Sequence, residues 1–297
     1  MDPADPAPRA LLFGASGQIG RRVLERLLAS GWQVVALSRD AQPARDGVAW
    51  RTGALPDAAG DGRGFDAILS CGPLDLFSQW YARTDSGRSR VVAFGSTSVH
   101  VKGASPDAAE RDVAARLREA EGRVEQAAAA RGAQATLLRP TLVYGAGSDR
   151  NLTRIAALAA RHGVFVLPHD ARGLRQPVHV DDLAAAAVAA LGRQGDGMRA
   201  YDLPGGETLD YRDMVARVLG ALRPPARLLV LPGPLFAVAA AMARRLRLHD
   251  AGPAVLARMR ADLAFDDGPA RRDLGYAPRP FHPAAAMFGP VPGDAPR

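Results

Sequence analysis

The chain of 297 residues contains one cysteine, Cys71, and one lysine, Lys102. A single thiol excludes an internal disulfide framework and a cysteine-rich metal site. The six histidines are scattered without metal-ligand spacing, so no metal is expected. Aromatic residues amount to only 6%, and no basic block is interleaved with them. The excess of 38 Lys plus Arg over 31 Asp plus Glu is therefore carried by arginines spread among acids, as in Arg116-Leu117-Arg118-Glu119. That pattern lacks the footprint of a nucleic-acid-binding surface, and it fits the composition bias of a GC-rich genome. No apolar run approaches the roughly 20 residues that span a bilayer. The longest, Leu235 to Ala243, is followed at once by Arg244 and Arg245 and is read as a buried or surface-lying helix. The start, Met1 to Arg9, alternates Pro with Asp and Ala and carries no apolar signal-peptide core, so a cytoplasmic protein without a transmembrane segment is expected.

What is present is ordinary globular composition, 47% hydrophobic and 23% charged, in a length that allows one large domain or two small ones. Short apolar runs at Ala10–Phe13, Gln33–Leu37, Phe65–Ser70, Arg90–Phe94 and Ala135–Leu138 alternate in part with helical stretches, notably Arg21–Ala29 and Pro106–Arg131. Strands alternating with helices imply parallel pairing through right-handed crossovers, hence an α/β doubly wound sheet of Rossmann type. After Pro140 helices dominate, at 151–162, 181–191, 211–222, 234–246 and 253–264. The expected division is a tail at 1–9, a Rossmann domain at 10–145, a smaller and mostly helical substrate part at 146–288 interleaved with it, and a Pro- and Gly-rich tail at 289–297. Both tails are expected to be disordered.

The first chemical signal is Phe13-Gly14-Ala15-Ser16-Gly17-Gln18-Ile19-Gly20. It reads as strand, Gly-x-x-Gly-x-x-Gly, then amphipathic helix. Glycines in that context let the backbone turn tightly and bring a pyrophosphate onto the free N–H groups of the helix N-terminus. The second signal closes the next strand, Val34-Val35-Ala36-Leu37-Ser38-Arg39-Asp40. An acid there would bind the ribose hydroxyls of NAD, whereas arginine accommodates the 2′-phosphate of NADP. Ser38 and Arg39 at that place favour NADP over NAD. A one-residue shift would bring Asp40 there instead, and a solvated surface Arg39 is the alternative.

Four segments then resemble the extended short-chain dehydrogenase/reductase family, the group of nucleotide-sugar epimerases and dehydratases. They are the glycine loop, Val91-Val92-Ala93-Phe94-Gly95-Ser96-Thr97-Ser98-Val99, Leu138-Arg139-Pro140-Thr141-Leu142-Val143-Tyr144-Gly145, and Arg175-Gln176-Pro177-Val178-His179-Val180-Asp181-Asp182. Their order and spacing cover roughly residues 10–280. The resemblance implies an active site in the cleft between the two parts. It also implies a cofactor set of Gly14, Ser16, Gly17, Gln18, Ile19, Gly20, Ser38 and Arg39, extended to Cys71 and Gly72 after the third apolar run.

Catalysis in that family uses a serine or threonine, a tyrosine and a lysine four residues later. Ser96 matches the first. The segment Pro106–Arg131, where the other two belong near Val113 to Leu117, contains neither tyrosine nor lysine. His100 stands where a family tyrosine usually follows, and Lys102 lies two residues on. Both follow the C-terminal end of a strand, where ligands bind in open α/β sheets. A His or Lys can transfer the proton if it reaches the substrate. Packing or solvent exposure of both residues is the competing reading. On the substrate side, the resemblance assigns Arg175 and the turn at Asn151 to a substrate diphosphate. The alternative is a structural role, with Arg175 pairing Asp181 and Asp182. Tyr144 either lines the cleft or packs at the domain hinge.

The expected function is an NADP-dependent oxidoreductase or epimerase acting on a carbonyl, hydroxyl or nucleotide-sugar substrate with a nonstandard proton relay. The expected partners are a small molecule and, in a homodimer, a second copy of the chain. The competing expectation is a non-catalytic NADP(H)-binding accessory or redox-sensing protein, docked through the helix at 234–246.

Overall fold

A computed structural model describes residues 6–60, 62–149, 151–238 and 253–288. Seven parallel strands form the central sheet: β1 (Arg9–Phe13), β2 (Gln33–Ser38), β3 (Val48–Thr52), β4 (Ala67–Ser70), β5 (Arg90–Phe94), β6 (Ala135–Pro140) and β11 (Met198–Leu203). Their spatial order is β3-β2-β1-β4-β5-β6-β11. The order reverses between β1 and β4, so the loops leaving these two strands diverge and open a crevice at their carboxyl ends.

The sheet is buried on both faces, and residue alternation assigns the faces. Ala10 and Leu12 of β1 pack with Val23, Leu24 and Leu27 of α1 (Gln18–Ala29) on one side. Leu11 and Phe13 pack on the other with Phe77 and Trp80 of α2 (Leu74–Arg83) and with Val124 and Ala128 of α4 (Ala108–Arg131). Between β5 and α4 lies one turn of helix, α3 (Ser98–Val101). Asp107 caps α4 by accepting the Ala109 N–H at 2.9 Å, and Gly132, at φ +58°, ends it in the left-handed conformation.

The smaller part is built from β7 (Val143–Tyr144), α5 (Leu152–His162), β8 (Val164–Pro168), β9 (Leu174–Arg175), β10 (Val178–His179), β12 (Leu209–Asp210), α7 (Tyr211–Ala221) and β13 (Arg227–Leu231). The strands pair as β7–β10, β8–β13 and β9–β12. Tyr144, Leu152, Phe165, Met214 and Phe281 lie in its separate core. Between these pieces α6 (Val180–Ala189) packs its Leu183 and Ala187 into the same core as α1, and β11 completes the large sheet. The chain thus returns to the first part at 178–203 before finishing the second.

Two sheet strands, β3 and β11, are not among the five apolar runs of the sequence. Both lie at the sheet edges, where Arg51, Thr52 and Arg199 can face water, so neither reads as a continuous apolar run. Arg9, placed in the N-terminal tail by the sequence, opens β1. The rest of that tail up to residue 5, the tail at 289–297, and most of the helix expected at 234–246 lie outside the described residues. Among the described residues no helix is long and apolar enough to cross a membrane.

Candidate active site in the crevice

Gly14 follows β1 at φ +71°, and a Cβ there would stand 3.0 Å from the backbone of Cys71 and Gly72 after β4. Only glycine allows both the conformation and that approach. At Gly20 a Cβ would stand 2.0 Å from the Gly14 carbonyl oxygen, so the third glycine lets α1 lie directly on the loop. Gly17 is exposed, and a Cβ there would meet only the Gly14 oxygen, at 3.2 Å. It is the N-cap of α1, with no side-chain cap and no acid in the first turn. By contrast Asp107, His179 and Asp210 cap α4, α6 and α7 with their side chains. The uncapped amides of a 12-residue helix, reached through an exposed glycine, fit an anionic group such as a pyrophosphate.

At the end of β2 the Ser38 hydroxyl is buried and lies 3.2 Å from Ser16 Oγ, tying the second strand to the glycine loop. It also accepts the Asp40 N–H and the Gln42 amide, both at 3.3 Å. Arg39 is exposed and has no ion-pair partner among the described residues, which leaves its guanidinium available to a ligand. Cys71 and Gly72 line a depression of about 380 Å³ together with Ile19, Phe94, Val113 and Leu117. Burial pushes the Cys71 thiol up to about 12, so it stays protonated at neutral pH and is no nucleophile.

Ser96 joins this depression to a larger cavity of about 620 Å³ beneath α5, α7 and the helix Pro253–Arg260. Its Oγ accepts the Ser98 N–H at 3.2 Å, and its own proton has no acceptor among the described residues. Lys102 lines the larger cavity too. Its ammonium has no hydrogen-bond or ion-pair partner among the described residues, and burial, then the charge of Arg258, lowers its pKa. His100 does not join them. One helical turn directs it to β11, where Nε2 lies 3.0 Å from Asp202 Oδ1 and the ring approaches Phe265 at 5.9 Å. The structure therefore brings Ser96 and Lys102 to one cavity and leaves His100 outside its lining.

The substrate candidates fare differently. Tyr144 is 1% exposed, wedged edge-on between His179 at 5.1 Å and Phe281 at 4.9 Å. Burial pushes its hydroxyl up to about 12. It lies in the core of the smaller part and does not line the cavity. Asn151 lines the cavity and precedes α5, but Asp149 accepts the N–H groups of Asn151 at 3.0 Å and Thr153 at 3.1 Å. Arg175 also reaches the cavity, stacked over Tyr211 at 5.1 Å. Its guanidinium is buried and donates to the carbonyls of Leu174 at 2.6 Å, Ala261 at 2.8 Å and Arg258. It does not pair with Asp181 or Asp182. Arg22 meets Asp181 at 3.2 Å and Arg279 meets Asp182 at 2.8 Å, while the acid-rich turn they form is capped by the ring nitrogen of His179.

A model of the NAD dependent epimerase/dehydratase family matches residues 78–203. The match runs from within α2 to the end of β11, somewhat under half of the chain, and over it the chain resembles the extended short-chain dehydrogenase/reductase family. Among curated proteins it is 24% identical over 151 residues to the uncharacterized protein YbjS of Escherichia coli, covering 48% of this chain and 45% of that one. The chain spans less than half the length of the curated relatives it matches. Its fold is that of UDP-glucuronic acid 4-epimerase from Bacillus cereus, solved in complex with NAD, at TM-score 0.64 and 15% identity over 91% of this chain and 93% of that one. The terminal R domain of the myxalamid PKS-NRPS pathway superposes at TM-score 0.68 and 17% identity, over 92% and 86%.

The α4 face toward Ser96 presents two apolar side chains beside Arg116. Val113 and Leu117, four residues apart, line the depression where the sequence segment carries neither tyrosine nor lysine. Sequence reasoning missed two ion pairs near the site, each with a nearly buried acid. Arg139 of β6 binds Glu121 of α4 in a two-pronged pair, at 2.8 and 2.6 Å. Glu110 pairs with Arg258 and accepts the Ser105 hydroxyl at 2.7 Å. Their partners are 18 and 148 positions apart, beyond any local spacing rule. Nearly buried acids on an otherwise Ala- and Arg-rich helix are the one signal that could have marked them.

Proposed function

We propose that this protein is a nicotinamide-dinucleotide-dependent oxidoreductase or epimerase acting at a carbonyl or hydroxyl carbon of a small molecule. The observation that carries the reading is Ser96, whose hydroxyl stands where the depression leading from the glycine loop meets the large cavity. Gly14, Ser16, Gly17, Gln18, Ile19 and Gly20 would hold the pyrophosphate, with Cys71 and Gly72 forming the floor beside it. When bound, the dinucleotide supplies hydride transfer. Ser96 would donate a hydrogen bond to the reacting oxygen and polarise it, while the apolar side chains of Ile19, Val113 and Leu117 keep water from the reacting face. Lys102 would deliver the proton. Its ammonium lines the cavity without a partner among the described residues, and burial, then the charge of Arg258, lowers its pKa below the usual lysine range.

The preferred dinucleotide is NADP, from the exposed Arg39 beside a serine that cannot make the paired bonds of an acid to ribose. NADPH and NADH titrations by calorimetry test the cofactor. Turnover of a carbonyl panel by Ser96→Ala and Lys102→Ala tests the chemistry, with a loss of roughly 10²–10⁴ expected for the missing acid. Wild-type rates in both variants, or no dinucleotide binding, would overturn the proposal.

One observation favours a second reading, binding without catalysis: the segment Pro106–Arg131 lacks both tyrosine and lysine. A protein that binds NADPH tightly yet oxidises it with no carbonyl substrate would support that reading.

A further inference from the structure

We infer that the substrate is a predominantly apolar ketone or alcohol, with an acyl-, aryl- or isoprenoid-like body, and not a nucleotide sugar. The inference rests on the proposed placement of the reacting oxygen at Ser96.

A nucleotide sugar needs a wall of free hydrogen-bonding groups for the sugar hydroxyls, and cations or amides for its diphosphate. Several of the polar groups of the large cavity are engaged within the protein. Thr97 bonds the Pro140 carbonyl at 3.2 Å. The Thr141 hydroxyl donates to the carbonyl of Gln176. The Gln176 amide bonds Thr208 at 3.1 Å and accepts the Phe265 N–H at 2.8 Å. Ser105 and Arg258 both bond Glu110. Both features that the sequence offered to a diphosphate are also engaged: Arg175 by three carbonyls, and the opening turn of α5 by the Asp149 carboxylate, which is 8% exposed.

Two cations of the lining, Lys102 and the exposed Arg154, have no partner among the described residues; the rest of the wall is largely apolar. Leu142, Ile155, Leu158, Phe165, Leu263 and Phe265 line a space of about 620 Å³, within the size range of pockets that enclose drug-sized apolar ligands. An apolar body placed against this wall leaves Ser96 and Lys102 to its single oxygen, whereas sugar hydroxyls against these side chains would lose their water without replacement.

The test uses the full chain with NADP⁺ bound, which permits no reduction of a ketone, and titrates 2-alkanones from four to ten carbons by calorimetry. Affinity should rise roughly three- to fourfold per added methylene, while UDP and UDP-glucose give no binding. Leu158→Ser and Phe265→Ser, at half-buried positions, should each weaken the longest ketone about tenfold with little change in melting temperature. A flat series, or UDP-glucose binding more tightly than every ketone, would overturn the inference while leaving the cofactor reading intact. If instead no nicotinamide dinucleotide binds, the cofactor reading fails, and the ketone series on the free protein still decides the nature of the cavity.

Discussion

Replacing the second and third glycines of the loop by alanine should separate two roles that the spacing alone cannot tell apart. At Gly20 the new methyl would stand 2.0 Å from the Gly14 oxygen, 2.7 Å from its carbonyl carbon and 2.9 Å from the Ala15 Cα. All three are backbone atoms, so no side chain can swing aside. The first turn of α1 must retreat by roughly 1.4 Å to reach the 3.4 Å at which ordinary contact begins. Overpacking of this kind costs about 1–3 kcal/mol, which lowers the melting temperature by roughly 2–10 °C in a domain of this size. At Gly17 the methyl meets only the Gly14 oxygen at 3.2 Å, and the residue is exposed. Its stability cost should stay below about 1 kcal/mol, the usual range for a changed N-cap. The same methyl is nevertheless added at the residue that opens the uncapped N-terminus of α1. Losing a charge-assisted bond there costs about 1.5–3 kcal/mol, or roughly ten- to a hundredfold in dinucleotide affinity. Calorimetric titration beside thermal unfolding measures both quantities. Gly17→Ala should bind poorly and melt normally, and Gly20→Ala should do both badly. Wild-type affinity in the first, or a wild-type melting temperature in the second, would refute the account of the loop.

Arg39→Ala should reduce any preference for NADPH over NADH by roughly ten- to a hundredfold, measured as the ratio of the two dissociation constants; equal wild-type affinities would remove the basis for the NADP reading. Glu121→Ala leaves the largely buried guanidinium of Arg139 without its two-pronged partner, so it should destabilise the protein by about 3–5 kcal/mol in chemical denaturation; a loss under 1 kcal/mol would mean that Asp202, 3.8 Å from Arg139, suffices as its counter-ion. If Lys102 is the proton donor, carbonyl reduction should fall as pH rises through its lowered pKa, on an alkaline limb below the usual lysine range, and Lys102→Arg should abolish that limb. Because burial lowers the folded-state pKa of Lys102, the unfolded chain binds the proton more tightly. The lysine's contribution to stability should accordingly rise with pH between the folded and unfolded values, as wild-type and Lys102→Ala unfolding curves would show.

Local chemistry made much of this protein legible from its sequence. Gly14 to Gly20, the run before it and the amphipathic helix after it specify a strand–loop–helix unit, because positive φ, close backbone approach and helical periodicity each leave a mark within a dozen residues. The starts and stops of α4 and α5 follow equally local signals, such as Asp107, Gly132 and Gly163. Edge strands β3 and β11 escaped notice because a strand half open to water carries no unbroken apolar run. The candidate site divides along the same line. Ser96 was placed by its motif, but whether His100 or Lys102 accompanies it into the cavity depended on one turn of helix, which turns His100 toward Asp202. Arg175 and Asn151 carry the right residue types for a diphosphate. What they bond, however, is set by Ala261, Arg258 and Asp149, and two of these three lie more than eighty residues from Arg175. Residue type sets what a group can bind and local spacing sets the element that carries it; the packing of distant segments decides which of those bonds is already made inside the protein, and so which groups remain for a ligand.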